Sequence, residues 1–428
     1  MRNGTNHKSR LQTFITSLRV GVFLARKDIL RANIWTTLLI VFVMTLTFLN
    51  LVVIGGILVG LIEGSVSAVR DRYSSDVIIS PFNQKSYIEG SPRIVSMARG
   101  LPWTQSVTAR YIEAGRIESG YQTRTRLNDL LDRAGGLVVG INPAEEDAVT
   151  GLSHLIVEGA YLAPDDVDQI IIGANLLFQY TPIVSPGLQT LKDVGVGSKV
   201  RLALNGIRRE VTVKGIIKSK VGEVDQRIFM PERELRALIG RADYNVDEIA
   251  IKLKDRALAD EAKQALTREG VGEVARIQTS EEAQPKFLND VKATFAILGD
   301  IVGSIGLIVA SITIFIIIFV NAITRRKFIG ILKGIGVSSA AIEVSYILQS
   351  LFYAVIGTGI GLLILYGFLQ PYIARHPLNF PFSDGILVAT LGGTMLRVLI
   401  LLVATVVAGY IPAKIVVRQN TLDAILGR

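Results

Sequence analysis

The chain has 428 residues, half of them hydrophobic, a formal charge of +9 and no cysteine. The missing cysteine removes disulfides, thiolate metal sites and cysteine nucleophiles together. The charge does not indicate nucleic-acid binding, because the basic excess lies in short flanks of apolar segments and not in a basic domain.

In chain order, residues 1–34 form a basic amphipathic segment in which Arg2, Lys8, Arg10, Arg19, Arg26, Lys27 and Arg31 stand against one acid, Asp28. Trp35–Ile62 is an apolar run long enough to cross a bilayer as a helix, for which about 20 residues suffice. It is far longer than the roughly 7–15 residue core of a signal peptide, so it reads as a retained signal anchor. Residues 63–294 are largely polar. Three more spans follow at Phe295–Val320, Ser345–Leu369 and Ile386–Ile411, separated by 321–344 and 370–385 and followed by a tail at 412–428. The fold class expected is an α-helical membrane protein with four transmembrane helices, one plus three, and a large mixed α+β domain inserted between the first and second.

Lys and Arg collect on cytoplasmic flanks, which fixes the expected orientation. Arg325, Arg326, Lys327 and Lys333 lie between spans two and three, and Lys414, Arg418 and Arg428 follow span four, whereas 370–385 offers only Arg375 and Asp384. Both termini and the 321–344 connection are therefore expected inside, with 63–294 outside. That segment holds about 30 basic and about 32 acidic side chains, so it is not itself basic.

Within the inserted segment, strand and helix signals alternate. Asp76–Ser80, Leu137–Gly140 and Gln169–Ile172 read as strands, with Ala174–Tyr180 as a helix after Gly173. Lys199–Leu204 and Glu210–Ile217 flank Asn205-Gly206, and Val200, Leu202 and Leu204 alternate with Arg201 and Ala203, which predicts a hairpin with one buried face. Arg227–Met230 runs into Pro231, suited to the first position of a helix reaching about Ile239. Glu248–Leu253 alternates again, and a helix over Leu258–Glu269 stops at Gly270. Pro- and Gly-containing breaks fall at Ser80–Pro92, Asn142–Asp147 and Thr181–Gly187. Strand signals are densest in 137–240, so an inserted β-rich subdomain is expected there, with 64–136 and 241–294 as halves of a membrane-proximal subdomain.

Catalytic, cofactor-binding and metal-ligating signatures are missing from the pattern. His7, His154 and His376 lack a second ligand at helical spacing, and no phosphate-binding Gly-x-x-x-x-Gly-Lys-Ser/Thr loop occurs. The acid clusters Glu145-Glu146-Asp147 and Asp165-Asp166 have no Gly-punctuated calcium loop and read as solvated loops. Ser185 and Ser198 have no nucleophile-elbow context. Glu63, Asp300 and Arg397 fall within or at the rim of spans. Asp300 and Arg397 share the outer half of the bilayer, so they are expected either to pair, within a subunit or across a dimer, or to be separate, with Arg397 snorkelling to the surface.

The connection Asn321–Ile342 stands out. Arg325, Arg326 and Lys327 sit where the helix leaves the bilayer; then Phe328, Ile329, Ile331, Leu332 and Ile335 interleave with Gly and Lys333 as a short amphipathic piece. It reads either as an interfacial helix or as an element that seats an apolar face in a groove of a cytoplasmic partner.

Arg325–Ile342 resembles the Arg-Arg/Lys-x-x-Ile-Gly-Ile-Leu-x-Ala-Ile-Gly-Ala-Ser signature of the FtsX-like, or MacB-like, permeases of type VII ABC transporters, whose relatives include the LolC, LolE and DevC permeases. Lys333-Gly334 takes the place of the usual Arg/Lys-Ala. Val138–Pro143, Val157–Ala160, Ile170–Gly173, Val196–Ser198, Val213–Ile216 and Ile228–Pro231 follow one another as in that family's periplasmic domain, and Ile411–Lys414 and Thr421–Leu426 resemble its C-terminal tail. The 181–192 segment is longer than the usual link.

The resemblance implies a non-catalytic permease in a bacterial inner membrane that couples ATP hydrolysis in a separate ATPase subunit to a periplasmic conformational change. The ATP is bound by that partner, and the permease carries no cofactor of its own. The substrate class is a lipoprotein, lipid or amphiphile for export or extraction. Arg325, Arg326, Lys327, Phe328, Ile329, Ile331, Leu332, Lys333 and Ile335 would form the ATPase-coupling element. Further partners implied are a second permease copy or paralogue, membrane lipid and a periplasmic adaptor, with no nucleic acid. Two rival readings are an FtsX-like regulatory scaffold that activates a periplasmic partner such as a cell-wall hydrolase, and a membrane-anchored enzyme or sensor with no ATPase.

Overall fold

A computed structural model describes residues 4–121, 132–181, 189–284, 286–380 and 383–418. The chain divides into a membrane unit, comprising Met1–Leu61, Asp290–Leu378 and Gly385–Arg428, and an inserted unit comprising Ile62–Asn289 with Asn379–Asp384. The mixed α/β domain thus lies between the first and second of four apolar helices, each long enough to cross a membrane.

The span helices outrun the hydrophobic segments that announce them. The first runs Ile34–Val69 and ends in a π-helical turn, Arg70–Ser74; the second runs Lys286–Thr324. Hydropathy marks only the length needed to cross hydrocarbon, and helical hydrogen bonding continues into the polar flanks. The third span helix, Ser339–Ile364, carries a π-helical turn at Leu365–Leu369.

The fourth helix begins at Leu391 and runs to Val417, so the first residues of the expected span Ile386–Ile411 are not helical. Thr390 is the N-cap, its hydroxyl accepting the Gly393 N–H at 3.3 Å. Residues 386–390 instead lie along the first span helix, where the Val388 N–H donates to the Gly56 carbonyl at 3.1 Å. A Cβ on Gly56 would stand 2.8 Å from the Val388 carbonyl oxygen, and one on Gly60 only 1.7 Å from that of Ile386. Glycine at both positions is what lets non-helical backbone bury itself against a helix.

In the inserted unit ten strands pair: β1 Val77–Ser80, β2 Thr104–Ser119, β3 Asp132–Ile141, β4 Ile156–Gly159, β5 Gln169–Gly173, β6 Lys199–Leu204, β7 Ile207–Ile217, β8 Arg227–Pro231, β9 Glu248–Leu253 and β10 Arg276–Thr279. The order is β10-β1-β9-β2-β3-β8-β5-β7-β4, and β6 bridges β2 and β7. Pairing from β2 through β3, β8, β5, β7 and β6 back to β2 closes a six-stranded ring. The long strand β2 serves two sheets: Thr104–Arg110 pairs with β9, and Tyr111–Ser119 with β3. The ring therefore draws one side from outside the 137–240 segment.

Alternation along the strands feeds two cores. Val138, Ile170, Ile172, Ile228 and Met230 face one cluster, while Val139, Ile171 and Phe229 face another that includes Ala68 and Val69 of the first helix. The β6–β7 hairpin turns at Asn205 (φ 45°) and Gly206 (φ 78°), with Leu204 paired to Ile207, the two-residue turn that Asn-Gly favours.

Three local expectations are corrected. Ala174–Tyr180 is not one helix but two 3₁₀ turns, because Leu176 and Phe178 exchange backbone hydrogen bonds with Leu191, which holds the chain extended between them. Pro231 ends β8 and caps the helix Glu232–Ile239 instead of opening it. The Asn142–Asp147 break is the start of a helix, Pro143–Thr150, with the Asn142 side chain accepting from Ala144 and Glu145. Residues 182–188, including Ser185, and the Thr421–Leu426 motif lie outside the described residues.

Candidate coupling element

The second span helix ends at Thr324, Arg325 leaves helical geometry, and a separate helix, Arg326–Gly334, follows. Gly336 at φ 94° ends that turn, and Ser338 caps the third span helix by accepting the Ala341 N–H at 3.3 Å. The short helix has two faces. Ile329 and Gly330 are buried and Leu332 packs on the membrane unit's core. Phe328, Ile331 and Ile335, at helical spacings of three and four, are 51%, 52% and 73% exposed.

Its charges divide the same way. Lys333 Nζ donates to the Val417 carbonyl at 3.0 Å, placing a cation on an orphan carbonyl at the end of the fourth span helix. Arg325 Nη1 meets Asp28 Oδ1 at 2.6 Å, and the other oxygen of Asp28 accepts from Gln349 Nε2 at 3.1 Å. Lys327 is exposed beside Phe328, and Arg326 is half-buried. The nine residues expected to act as one docking element thus separate into anchors (Arg325, Ile329, Leu332, Lys333) and an outward apolar stripe. Sequence pattern alone does not reveal the anchors' partners, which are 297 and 84 residues away.

Asp300 and Arg397 do not form an ion pair within the chain among the described residues. The Arg397 guanidinium lies over Gly55, its Nη2 being 2.7 Å from where a Cβ would stand, and Gly299 approaches the same glycine at 3.6 Å. Asp300 is exposed one residue further along the second span helix, and Glu63 is exposed on the first.

The inserted unit holds a charge cluster that the sequence conceals. Glu146, expected in a solvated loop, is fully buried and takes two bonds from Arg110, at 2.9 Å from Nε and 2.8 Å from Nη2. Arg110 Nη1 reaches Glu248 at 3.2 Å, and Arg227 Nη2 reaches the same carboxylate at 3.0 Å. Thr108 and Thr150 hydroxyls donate to Glu146.

Tyr73, in the π-helical turn, completes the cluster. Its hydroxyl donates to Glu248 at 2.8 Å, its carbonyl accepts from Arg110 at 2.9 Å, and both guanidinium groups lie over its ring at 5.4 and 4.8 Å. One turn position earlier, Arg72 donates to the Ser219 carbonyl. Burial alone would raise the Glu248 pKa, but the charges of Arg227 and Arg110 outweigh it and hold the carboxyl down at about 2. Two cations and two carboxylates leave the cluster neutral, so it joins strands rather than attracting a ligand. The joint spans β2, β8, β9, helix Pro143–Thr150 and the end of the first span helix.

The other acid cluster lies at a surface hollow where Asp166 meets Lys214 at 2.5 Å and Arg209 grips Asp168 with two bonds of 2.6 and 2.8 Å. Among the described residues no group of three or more His, Asp or Glu converges as a metal site.

The sequence matches the MacB-like periplasmic core domain over residues 37–269 and the FtsX-like permease C-terminal domain over residues 301–421. Among solved structures, the extracellular domain of the noncanonic ABC-type transporter YknZ from Gram-positive bacteria aligns with TM-score 0.31 and 14% identity, covering 48% of this chain and 98% of that one. The periplasmic region of MacB from Actinobacillus actinomycetemcomitans aligns with TM-score 0.33 and 14% identity, covering 50% and 92%. No curated protein matches the chain.

Proposed function

Because the chain belongs to the MacB-like, FtsX-like permease family of type VII ABC transporters, we propose that it converts ATP hydrolysis in a separate ATPase subunit into movement of its inserted domain. Its substrate on this reading is a lipoprotein, lipid or other amphiphile, worked on outside the membrane instead of being passed through the spans. The membrane is the bacterial inner membrane, both termini are cytoplasmic and the inserted domain is periplasmic. The active assembly holds two permease chains, this one twice or with a paralogue, and admits a periplasmic adaptor.

One observation carries the proposal. The helix Arg326–Gly334 is tied down by Arg325, Ile329 and Lys333 and turns Phe328, Ile331 and Ile335 outward. An apolar stripe on a basic helix between two spans suits insertion into a groove on the ATPase. Two-state coupling then requires nucleotide to favour one arrangement through contacts made there.

The test is capture of the ATPase by the full chain purified from native membranes. Ile335→Glu would place a charge in the docked face and should cut co-purification at least tenfold, since a buried unpaired carboxylate costs several kcal/mol. Normal capture by Ile335→Glu and Ile331→Glu together would leave the helix as an interfacial one. Orientation is checked in the cysteine-free background: an impermeant thiol reagent should label Val196→Cys from outside and leave Ser339→Cys unlabelled in intact cells.

A further inference from the structure

We propose that Asp28 is the positioning residue of the coupling element, and that the N-terminal helix Gly4–Leu30 is therefore a working part of the coupling device and not only a basic flank. The inference rests on the permease reading.

The N-terminal helix is seated on the third span helix along one face. The Ser17 and Ser338 hydroxyls are 3.1 Å apart. A Cβ on Gly21 would stand 2.7 Å from Val344 Cγ1 and 2.9 Å from the Ala341 carbonyl, so the two helices approach as closely as glycine permits. Asp28 ends this face. It is the only acid of the helix, and its two oxygens bind different elements: Oδ1 takes Arg325 at 2.6 Å and Oδ2 takes the buried Gln349 at 3.1 Å.

Arg325 is the residue at which the second span helix stops and the short helix starts. Any force that displaces Phe328, Ile331 and Ile335 must first move this junction, and Asp28 fixes where the junction sits relative to the N-terminal helix and the third span. The Arg325 and Asp28 side chains are 34% and 26% exposed, so the pair is wet enough to break and remake. Asp28 itself is away from the outward stripe. Its removal should leave capture of the ATPase intact and weaken the movement that nucleotide drives after docking.

The experiment uses the full chain with the ATPase that co-purifies with it, in proteoliposomes, with spin labels on Val196→Cys and Leu391→Cys in the cysteine-free background. Wild type should show a nucleotide-dependent change in label distance with ATP and vanadate. Asp28→Asn and Arg325→Gln should capture as much ATPase as wild type while the shifted population falls roughly two- to fivefold, the size set by a partly exposed ion pair. The exchange Asp28→Arg with Arg325→Asp should recover part of the response.

A full response in Asp28→Asn, or a loss of capture as large as that of Ile335→Glu, would overturn the positioning role. Wild type with no response to nucleotide would bring down the permease reading, and this inference with it.

Discussion

Two ionic joints in this protein are built to opposite specifications. In the inserted domain, Arg110, Arg227, Glu146 and Glu248 are buried around Tyr73, each carboxylate holding several donors. In the membrane unit, a single pair, Asp28–Arg325, stands partly in solvent with one supporting amide. A buried cluster cannot lose one partner without stranding a charge, whereas a wet pair exchanges its partner for water at little cost. The first joint is suited to hold the end of the first span helix to the strands as one piece; the second is suited to change.

Arg110→Met gives the largest expected effect. It strands Glu146 and should destabilise the inserted domain by about 3–5 kcal/mol. Trp103 fluorescence during denaturant unfolding reads this directly in a Trp35→Phe background, since the chain has only these two tryptophans. Arg110→Met with Glu146→Leu should regain much of the loss; an additive penalty would mean that the two residues do not act as a unit.

Acid acts on the same joint. The folded-state pKa of Glu248 is depressed from the ordinary value of 4.5 to about 2, so its contribution is fully present above about pH 5 and fades as pH falls towards 2. That contribution is up to about 3 kcal/mol. Repeating the unfolding series in Glu248→Gln should flatten the pH dependence in this window, and an unchanged slope would assign acid sensitivity to other carboxylates. Tyr73→Phe removes one hydroxyl bond to a carboxylate and should cost about 1.5–3 kcal/mol. Smallest of all, Asp28→Asn should alter global stability by less than about 1 kcal/mol. If Asp28→Asn destabilised the protein as much as Arg110→Met, the contrast between a fixed and a changeable joint would collapse.

Four spans and the Asn205-Gly206 hairpin can be read from the sequence because each depends on local pattern: an apolar run, or alternation around a turn dipeptide. The outward stripe of the short helix is legible for the same reason. Strand β2 is not, although it is the longest, because it switches sheets midway and carries Thr108, Arg110 and Glu118 inward beside Val107, Tyr111 and Ile117. Its alternation is masked by charges that only distant partners neutralise. Glu146 is misleading in the same way: three consecutive polar residues resemble a solvated loop unless Arg110, 36 residues upstream, is known to face them. The non-helical stretch 386–390 is also hidden, since its hydropathy equals that of a helix and only Gly56 and Gly60 hint at the approach.

The π-helical turn at Arg70–Ser74 gives the first span helix a phase shift as well as an end. Its Ser75 N–H reaches back to the Arg70 carbonyl at 2.7 Å, accommodating one residue more than an α-turn would hold. Deleting one residue there would allow an ordinary turn but rotate everything beyond it by about 100°. Tyr73 would leave the two guanidinium groups, and β1 would meet β9 out of register. In the history of the gene, single-residue insertions and deletions should therefore be rejected at this turn even where substitutions pass, so that spacing between span and strand, more than identity, is the inherited property.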